Sequence, residues 1–571
     1  MRSIQISFWK IIFALILAML GLLLFFFERE WNVISIENIY LTVLSCVVIW
    51  SFLASISRRA VASAFVALTI MAAIAFSSKV KFSYLSSTLH AMDIMYYIQA
   101  PVELAFLFTH YPAMMSAGMV VLVAGLGLLL LVFKLEPASI KGVSRVIVFA
   151  AGVAGSIVLI AKLTTTQPNR AYQQSYDALH ISSFLYSIPE AISFYSHFDN
   201  FRRVESSDGA APQPGPLPAV IKPPNIIVIL HESTIDPQDF VNLDKTKVDS
   251  GLFASGDARA RKLIVETYGG VTWISEYGLL LGVSTHSFGS VRSYLGHFMS
   301  GQFKNALPHY LSRLGYGTIA VYPAPSAFAN TGNFYKSLGF ERVIDFRDMR
   351  PSFWVERDSF YYNHGLAEIK ARREAGDVRP VFLTIATMAT HGPYTNIIFP
   401  DVRQDEARPG DSWAEYARRL RISHDDLKSL YSRLEREFPE ETFLIVGYGD
   451  HQPVITKEFD KEVFRYGAGE MSDRRSLAKA RFFETFYRIN GIRFNPRFEK
   501  VNETTEIGLL GTMILRAAGL PLQGSYDTRS KLIDGCEGLL FRCAKQELVK
   551  WLHRELADSG EIRLPDRDFY P

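Results

Sequence analysis

The chain has 571 residues, too many for one ordinary domain, and combines 49% apolar residues with 20% charged ones. Its formal net charge of +3 lacks the strong basic balance of a nucleic-acid-binding protein, so no nucleic-acid partner is expected. Three cysteines are few, and the absence of a Cys-x-x-Cys pair argues against a structural zinc site.

The apolar residues are concentrated in the first third of the chain. Five runs, at about 8–27, 39–56, 60–76, 114–133 and 146–161, approach the ~20 residues needed to cross a bilayer. The first is too long, and lacks the small-residue cleavage site, for a removed signal peptide. Arg2 and Lys10, then Arg58 and Arg59, then Lys134, Lys141 and Arg145 all fall on one side if the amino terminus is cytoplasmic. The other side carries only Arg29, Lys79 and Lys81. Five crossings then deliver the remainder to the outer face of a plasma or inner membrane. The connection from 82 to 112 is rich in aromatic residues, among them Tyr84, Tyr96, Tyr97, Phe106, Phe108 and Tyr111. It suits either the membrane interface or packing against the bundle.

The expected organisation is a membrane bundle over 1–164, a connector over 165–222, and an extracytoplasmic α/β domain over 223–571. Within the connector, 178–197 has a helical pattern that Pro189 is expected to interrupt. The stretch 205–224 is rich in Ser, Gly, Ala and Pro and should not pack a core of its own.

From Pro223 the pattern alternates between apolar strands and helices, as in a mostly parallel sheet. Asn225-Ile226-Ile227-Val228-Ile229-Leu230 is apolar almost throughout, the mark of a strand covered on both faces. Thr318–Val321, Val381–Ala386 and Thr442–Val446 repeat the pattern, and 361–375 and 416–438 read as helices. Open α/β sheets bind ligands beyond the carboxyl ends of their strands. Glu232, His391 and the pair Asp450-His451 all follow such ends.

A further stretch, Tyr268-Gly269-Gly270-Val271-Thr272-Trp273, leads into a helical pattern. Thr272 at a helix amino terminus serves either as a cap or as a hydroxyl poised beside an anion. Cys536 and Cys543 lie close in sequence and suit a disulfide in an extracytoplasmic domain.

Glu232, Thr272 with Glu276 one turn later, Thr390-His391-Gly392-Pro393-Tyr394 and Gly449-Asp450-His451, in that order behind an apolar prefix, resemble the lipoteichoic acid synthase family. That family belongs to the alkaline phosphatase/sulfatase superfamily, and the phosphoethanolamine transferases of lipid A are its cousins. The resemblance implies a five-helix membrane part followed by an alkaline phosphatase-like α/β domain. It implies one divalent metal ion (Mn, Zn or Mg) held by Glu232, Thr272, Asp450 and His451. Hard oxygen donors with one imidazole suit such an ion. It further implies Thr272 as nucleophile toward phosphorus and His391 as a phosphoryl or acid/base partner.

The expected reaction takes phosphoglycerol or phosphoethanolamine from a phospholipid donor to a glycan or lipid acceptor. The competing reading is a sulfatase-like hydrolase with water as acceptor. Formylglycine sulfatases convert a Cys or Ser in a Cys/Ser-x-Pro-x-Arg setting, which neither late cysteine has. His231, Ser233 and Asp236 flank Glu232 as supporting groups or as loop polars. Glu276 reads as structural, and His286, His297, His309, His364 and His424 as surface or satisfied histidines. One departure stands out. Where many members carry Phe-Trp-Asn-Arg, this chain has Phe328-Ala329-Asn330-Thr331. Ala329 and Thr331 offer neither the stacked ring nor the bidentate cation that holds glycerol phosphate there.

Overall fold

Long stretches of Leu, Val, Ile, Phe and Ala without charge satisfy their backbone in lipid as helices, and the apolar runs within the described residues do form helices. The computed structural model describes residues 36–99, 108, 112–164, 178–205, 217–218, 222–237, 250–458 and 481–562. These fall into two units, one up to Ser196 and one from His197 onward.

Among the described residues, three helices of the first unit are long and apolar enough to cross a membrane: Ile36–Ser57, Ala60–Ser83 and Gly142–Thr164. A fourth apolar helix, Pro112–Leu135, covers the run expected at 114–133. The run at 8–27 lies outside the described residues, so three such spans stand where five were expected. The basic link between the first two helices is tied down by Glu136. Its carboxylate accepts the backbone N–H of Val61 at 2.9 Å and of Ala62 at 2.7 Å, and Arg59 Nε donates to its carbonyl at 2.7 Å. A carboxylate at a helix amino terminus satisfies donors that have no intrahelical partner. The helix His180–Glu205 runs straight through Pro189 instead of breaking there. Proline removes one N–H from the ladder, and the first two turns of this helix are buried, so packing outweighs the lost bond.

The second unit is built on one sheet of eight strands: β1 (Asn225–His231), β2 (Arg261–Ile264), β3 (Gly317–Val321), β4 (Arg342–Ile344), β5 (Val381–Ala386), β6 (Phe443–Gly449), β7 (Glu484–Ile492) and β8 (Thr504–Glu506). The order across the sheet is β4-β3-β5-β1-β6-β7-β2-β8. Every pairing is parallel except the two that β7 makes with β6 and β2. β1 sits between β5 and β6, and all its residues are buried. Ile227 and Ile229 face a core shared with the helices Asp358–Glu374 and Ser412–Glu437. Ile226, Val228 and Leu230 point the other way and are buried too, so both faces are covered. Carboxyl ends of five adjacent parallel strands therefore gather along one edge.

The remaining helices meet through close backbone approach. Gly278, in the helix Trp273–Leu281, leaves no room for a side chain: a Cβ there would lie 2.9 Å from Ile507, the first residue of the helix Ile507–Ala518. Cys536 and Cys543 are joined in a disulfide.

Candidate active site

At the carboxyl end of β1 the backbone turns sharply, with Ser233 in the left-handed region at φ 48°. The turn leaves Glu232 pointing along the sheet edge and aims the Ser233 N–H at Asp450 Oδ1, 2.8 Å away. The Ser233 hydroxyl donates to Glu232 Oε1 at 2.9 Å. Thr390 donates to the Glu232 carbonyl, and Thr234 does so at 2.9 Å. Asp450 and His451 follow β6 directly, and the neighbouring register β1/β6 brings them beside Glu232. Glu232, Asp450 and His451 offer ligand atoms within 4.8 Å of one another, all buried, the one such cluster among the described residues.

Thr272 reaches the same point from another direction. It is the residue just before the helix Trp273–Leu281, yet its side chain makes no capping bond. Instead Oγ1 donates to Glu232 Oε2 at 3.0 Å and lies 3.4 Å from His451 Nε2. Val271, a β-branched residue at φ 60°, precedes it. Such a conformation is sterically costly, and at functional sites it marks a backbone held by its surroundings. The holders are visible: Gly269 N donates to Gln452 O at 3.1 Å, and Thr267 Oγ1 to Gly270 O at 2.6 Å.

The cluster is short of positive charge. The His451 Nδ1 contact with the Gln452 carbonyl, 3.0 Å, assigns the ring proton to Nδ1 and turns the Nε2 lone pair inward. Nε2 then lies 3.4 Å from Glu232 Oε1 and 3.2 Å from Asp450 Oδ2. Asp450 Oδ2 is buried and receives no hydrogen bond. Burial, and then the charge of Glu232, push the Asp450 carboxyl well above the ordinary range. Burial works against ionisation of Glu232 too, but His451, His391 and the hydroxyls of Ser233 and Thr272 outweigh it and hold Glu232 below its usual value. Burial pushes His451 down toward its neutral form. Two carboxylates, an imidazole lone pair and a hydroxyl oxygen converging in a buried space form an oxygen-and-nitrogen ligand set, which fits a divalent cation.

His391 stands outside this cluster but close enough to act electrostatically on Glu232 and His451. Its Nδ1 lies 2.6 Å from the Gly392 carbonyl, and Arg419 grips its backbone carbonyl at 2.7 Å. Ser233 supports the metal-ligand candidates: its N–H donates to Asp450 and its hydroxyl to Glu232. His231 does not: its ring packs against Phe486, on a side of β1 where Gly447 leaves room for it and for Arg488. Both His231 nitrogens are without hydrogen-bond partners, and burial, then Arg488 and His424, keep the ring neutral. Asp236 is half-buried past the turn. None of His286, His297, His309, His364 and His424 joins the cluster. Glu276 is buried and accepts from Tyr335 Oη. Ala329 and Asn330 both adopt left-handed backbone, and Phe328 sets its ring edge-on to Trp273, 5.8 Å between centroids. No signal in the sequence singled out the double donation by Ser233 or the strained Val271, because both depend on backbone torsions.

Residues 224–482 match the family model described as Sulfatase. An uncharacterized protein of Haemophilus influenzae is 25% identical over 361 residues, which is 60% of this chain. The chain spans 59% of that relative's length. Among solved structures, the Streptococcus pyogenes phosphoglycerol transferase GacH, in complex with sn-glycerol-1-phosphate, aligns at TM-score 0.45 and 17% identity over 64% of this chain and 92% of its own. The integral membrane lipooligosaccharide phosphoethanolamine transferase A (EptA) of Neisseria meningitidis aligns at TM-score 0.41 and 10% identity, covering 74% of this chain and 82% of its own. The segment that supplies Glu232, Thr272, His391, Asp450 and His451 thus matches the Sulfatase family model, and it follows a stretch of apolar helices.

Proposed function

We propose that the protein is a membrane-anchored, metal-dependent phosphotransferase. It moves a phospholipid head group, phosphoglycerol or phosphoethanolamine, through a phospho-threonine to a glycan or lipid acceptor outside the cytoplasm. The observation that carries this reading is the placement of Thr272: its hydroxyl turns away from its own helix and into the Glu232–Asp450–His451 cluster.

Glu232, Asp450, His451 and Thr272 Oγ1 are the atoms that would hold a divalent cation. When bound there, such an ion supplies positive charge that favours the Thr272 alkoxide and polarises the phosphoryl oxygen. Glu232 Oε2 already accepts the Thr272 proton as a hydrogen bond and is the group to receive it. Thr272 Oγ1 then bonds to phosphorus as the bond to the lipid oxygen breaks, and His391 gives that oxygen a proton. In the second half, an acceptor hydroxyl gives its proton to His391 and attacks phosphorus as the bond to Thr272 Oγ1 breaks, and Thr272 takes its proton back from Glu232. Ala329 and Thr331 in place of a stacking ring and a cation mean that the head group is held by other residues than in the lipoteichoic acid synthases that this chain resembles.

The test is incubation of the full chain with phosphatidylglycerol or phosphatidylethanolamine labelled in the head group. Label on Thr272, located by peptide mass spectrometry, together with released diacylglycerol, supports the reading, and the added mass names the head group. Label found only in free solution, with Thr272 never modified, favours the hydrolase instead.

A further inference from the structure

The second unit carries a pair of neighbouring aromatic side chains that the described residues leave largely exposed. Phe353 is 75% exposed and Trp354 43% exposed. They sit at the tip of the connection between β4 and the helix Asp358–Glu374. This connection is braced. Glu356 Oε1 accepts the backbone N–H of Ser352 at 2.7 Å and of Phe353 at 3.0 Å, which fixes the turn that presents the two rings. Arg357 is anchored to Asp426, and the Trp354 ring leans on Phe346 at 5.7 Å. Exposed Phe beside exposed Trp costs free energy in water, and a braced loop that keeps them out points to a partner.

The charge around them specifies which partner. Arg347 and Arg350 are exposed in the same connection, and neither makes an ion pair among the described residues. The nearby carboxylates are occupied: Asp348 pairs with Arg342 at 3.3 Å, and Glu356 holds the turn. Amphipathic aromatics flanked by unpaired arginines suit the head-group layer of an anionic bilayer, where rings enter the boundary and guanidinium groups meet phosphates. The chain supplies its own membrane context through its three span-length apolar helices. The location fits as well. β4 runs parallel to β3, β5 and β1, so its carboxyl end opens on the same edge as Glu232. Three strand spacings, about 14 Å, separate β4 from β1 along the sheet.

We infer that the Phe353-Trp354 tip, with Arg347 and Arg350, is a docking surface for the phospholipid head-group layer, on the edge of the sheet that carries the candidate active site. The contact does not depend on the chemistry proposed above, and its test does not read transfer activity. The full chain with Cys46→Ala and Ser352→Cys, labelled at residue 352 with an environment-sensitive fluorophore, is reconstituted in phosphatidylethanolamine/phosphatidylglycerol vesicles. Emission should shift to the blue and be quenched by lipids carrying a quencher near the head group. The same label at Val378→Cys, a site 87% exposed just ahead of β5 and so at the opposite end of the strands, should stay water-like. Adding Phe353→Ser and Trp354→Ser to the Ser352→Cys chain should cut the quenching at least by half. Arg347→Gln with Arg350→Gln should cut it in vesicles with phosphatidylglycerol and leave it unchanged without. Equal, unquenched signals at 352 and 378 would overturn the inference. So would a blue shift without lipid quenching, which would place a protein surface there, or quenching indifferent to loss of both rings.

Discussion

Thr272 Oγ1 donates to Glu232 Oε2 across 3.0 Å, although 40 residues separate the two in the chain. A threonine at a helix amino terminus ordinarily turns its hydroxyl back to its own backbone. Here the hydroxyl is surrendered to a carboxylate, and the neighbouring Val271 is held at φ 60° to allow it. Because the hydroxyl does no capping work, Thr272→Ala should leave the fold intact while lowering head-group transfer by roughly 10³-fold or more, as removal of a nucleophile does. Thr272→Ser keeps the oxygen and should retain measurable transfer. Unfolding temperature and transfer rate, measured on the same preparations, check both halves. A Thr272→Ala chain as active as the parent would place the nucleophile elsewhere.

Asp450 gives a test of cation binding that needs no substrate. Its Oδ2 is buried, without a hydrogen bond, 3.2 Å from His451 Nε2. Burial and Glu232 push this carboxyl toward its protonated form in the absence of a cation, so Asp450→Asn should cost little stability in chelator. A divalent cation that binds only the folded state should stabilise the parent by about 2.7 kcal/mol at a hundredfold excess over its Kd. Asp450→Asn should lose most of that gain. Thermal unfolding with and without Mn, Zn or Mg separates the two proteins, and equal stabilisation of both would remove Asp450 from the ligand set.

Much of this arrangement was legible in the sequence, and the reasons are local. β1, β3, β5 and β6 announce themselves because strands buried on both faces are apolar without interruption. The residues that follow three of them, Glu232, His391 and Asp450-His451, inherit their position from that topology. β7 was not legible. Its sequence, Glu484-Thr485-Phe486-Tyr487-Arg488-Ile489-Asn490-Gly491-Ile492, mixes polar and apolar residues without a regular period although most of them are buried. Arg488 lies against β6 where Gly447 leaves space for it, a relationship that exists only after pairing. β2, β4 and β8 are three or four residues long and carry too little pattern to read. The double donation by Ser233 hangs on its own left-handed backbone, which composition does not reveal.

Gly449 shows how tightly the approach to Asp450 is built. A Cβ at this position would fall 2.2 Å from the Thr234 carbonyl and 3.2 Å from Thr485 Cβ. The obstacle is backbone from the turn after β1, so no side-chain rotation relieves it. Gly449→Ala must push β6 away from β1 at the point where the two strands hand over Glu232 and Asp450. The expected cost is on the order of 3 kcal/mol, with loss of cation-induced stabilisation beyond what the lower stability explains. Chemical unfolding gives the first quantity and cation titration the second. An alanine variant of parental stability would mean that the strands are farther apart here than described.

Glu276 supplies a pH dependence that can be assigned to one side chain. Its carboxyl is buried in the helix that begins after Thr272, accepts from Tyr335 Oη through Oε1, and has no partner for Oε2. Burial raises its pKa to about 7; the Tyr335 hydrogen bond opposes the rise and the charge of Glu232 adds to it. In the unfolded chain the same group titrates near 4.5. Between those values the native protein holds a proton that the unfolded chain has lost. The unfolded state therefore binds fewer protons, and stability falls as pH rises through this window, then levels off above it. The full effect is on the order of 3 kcal/mol. Tyr335 is itself pushed upward by burial, then by Glu276 and its neighbours, so it remains a donor throughout the range. Glu276→Gln keeps an acceptor for Tyr335 and cannot ionise. The parent should lose stability relative to Glu276→Gln as pH is raised from 5 to 7.5, read as the difference between their unfolding temperatures. A constant difference across that range would show that Glu276 is already ionised in the folded protein.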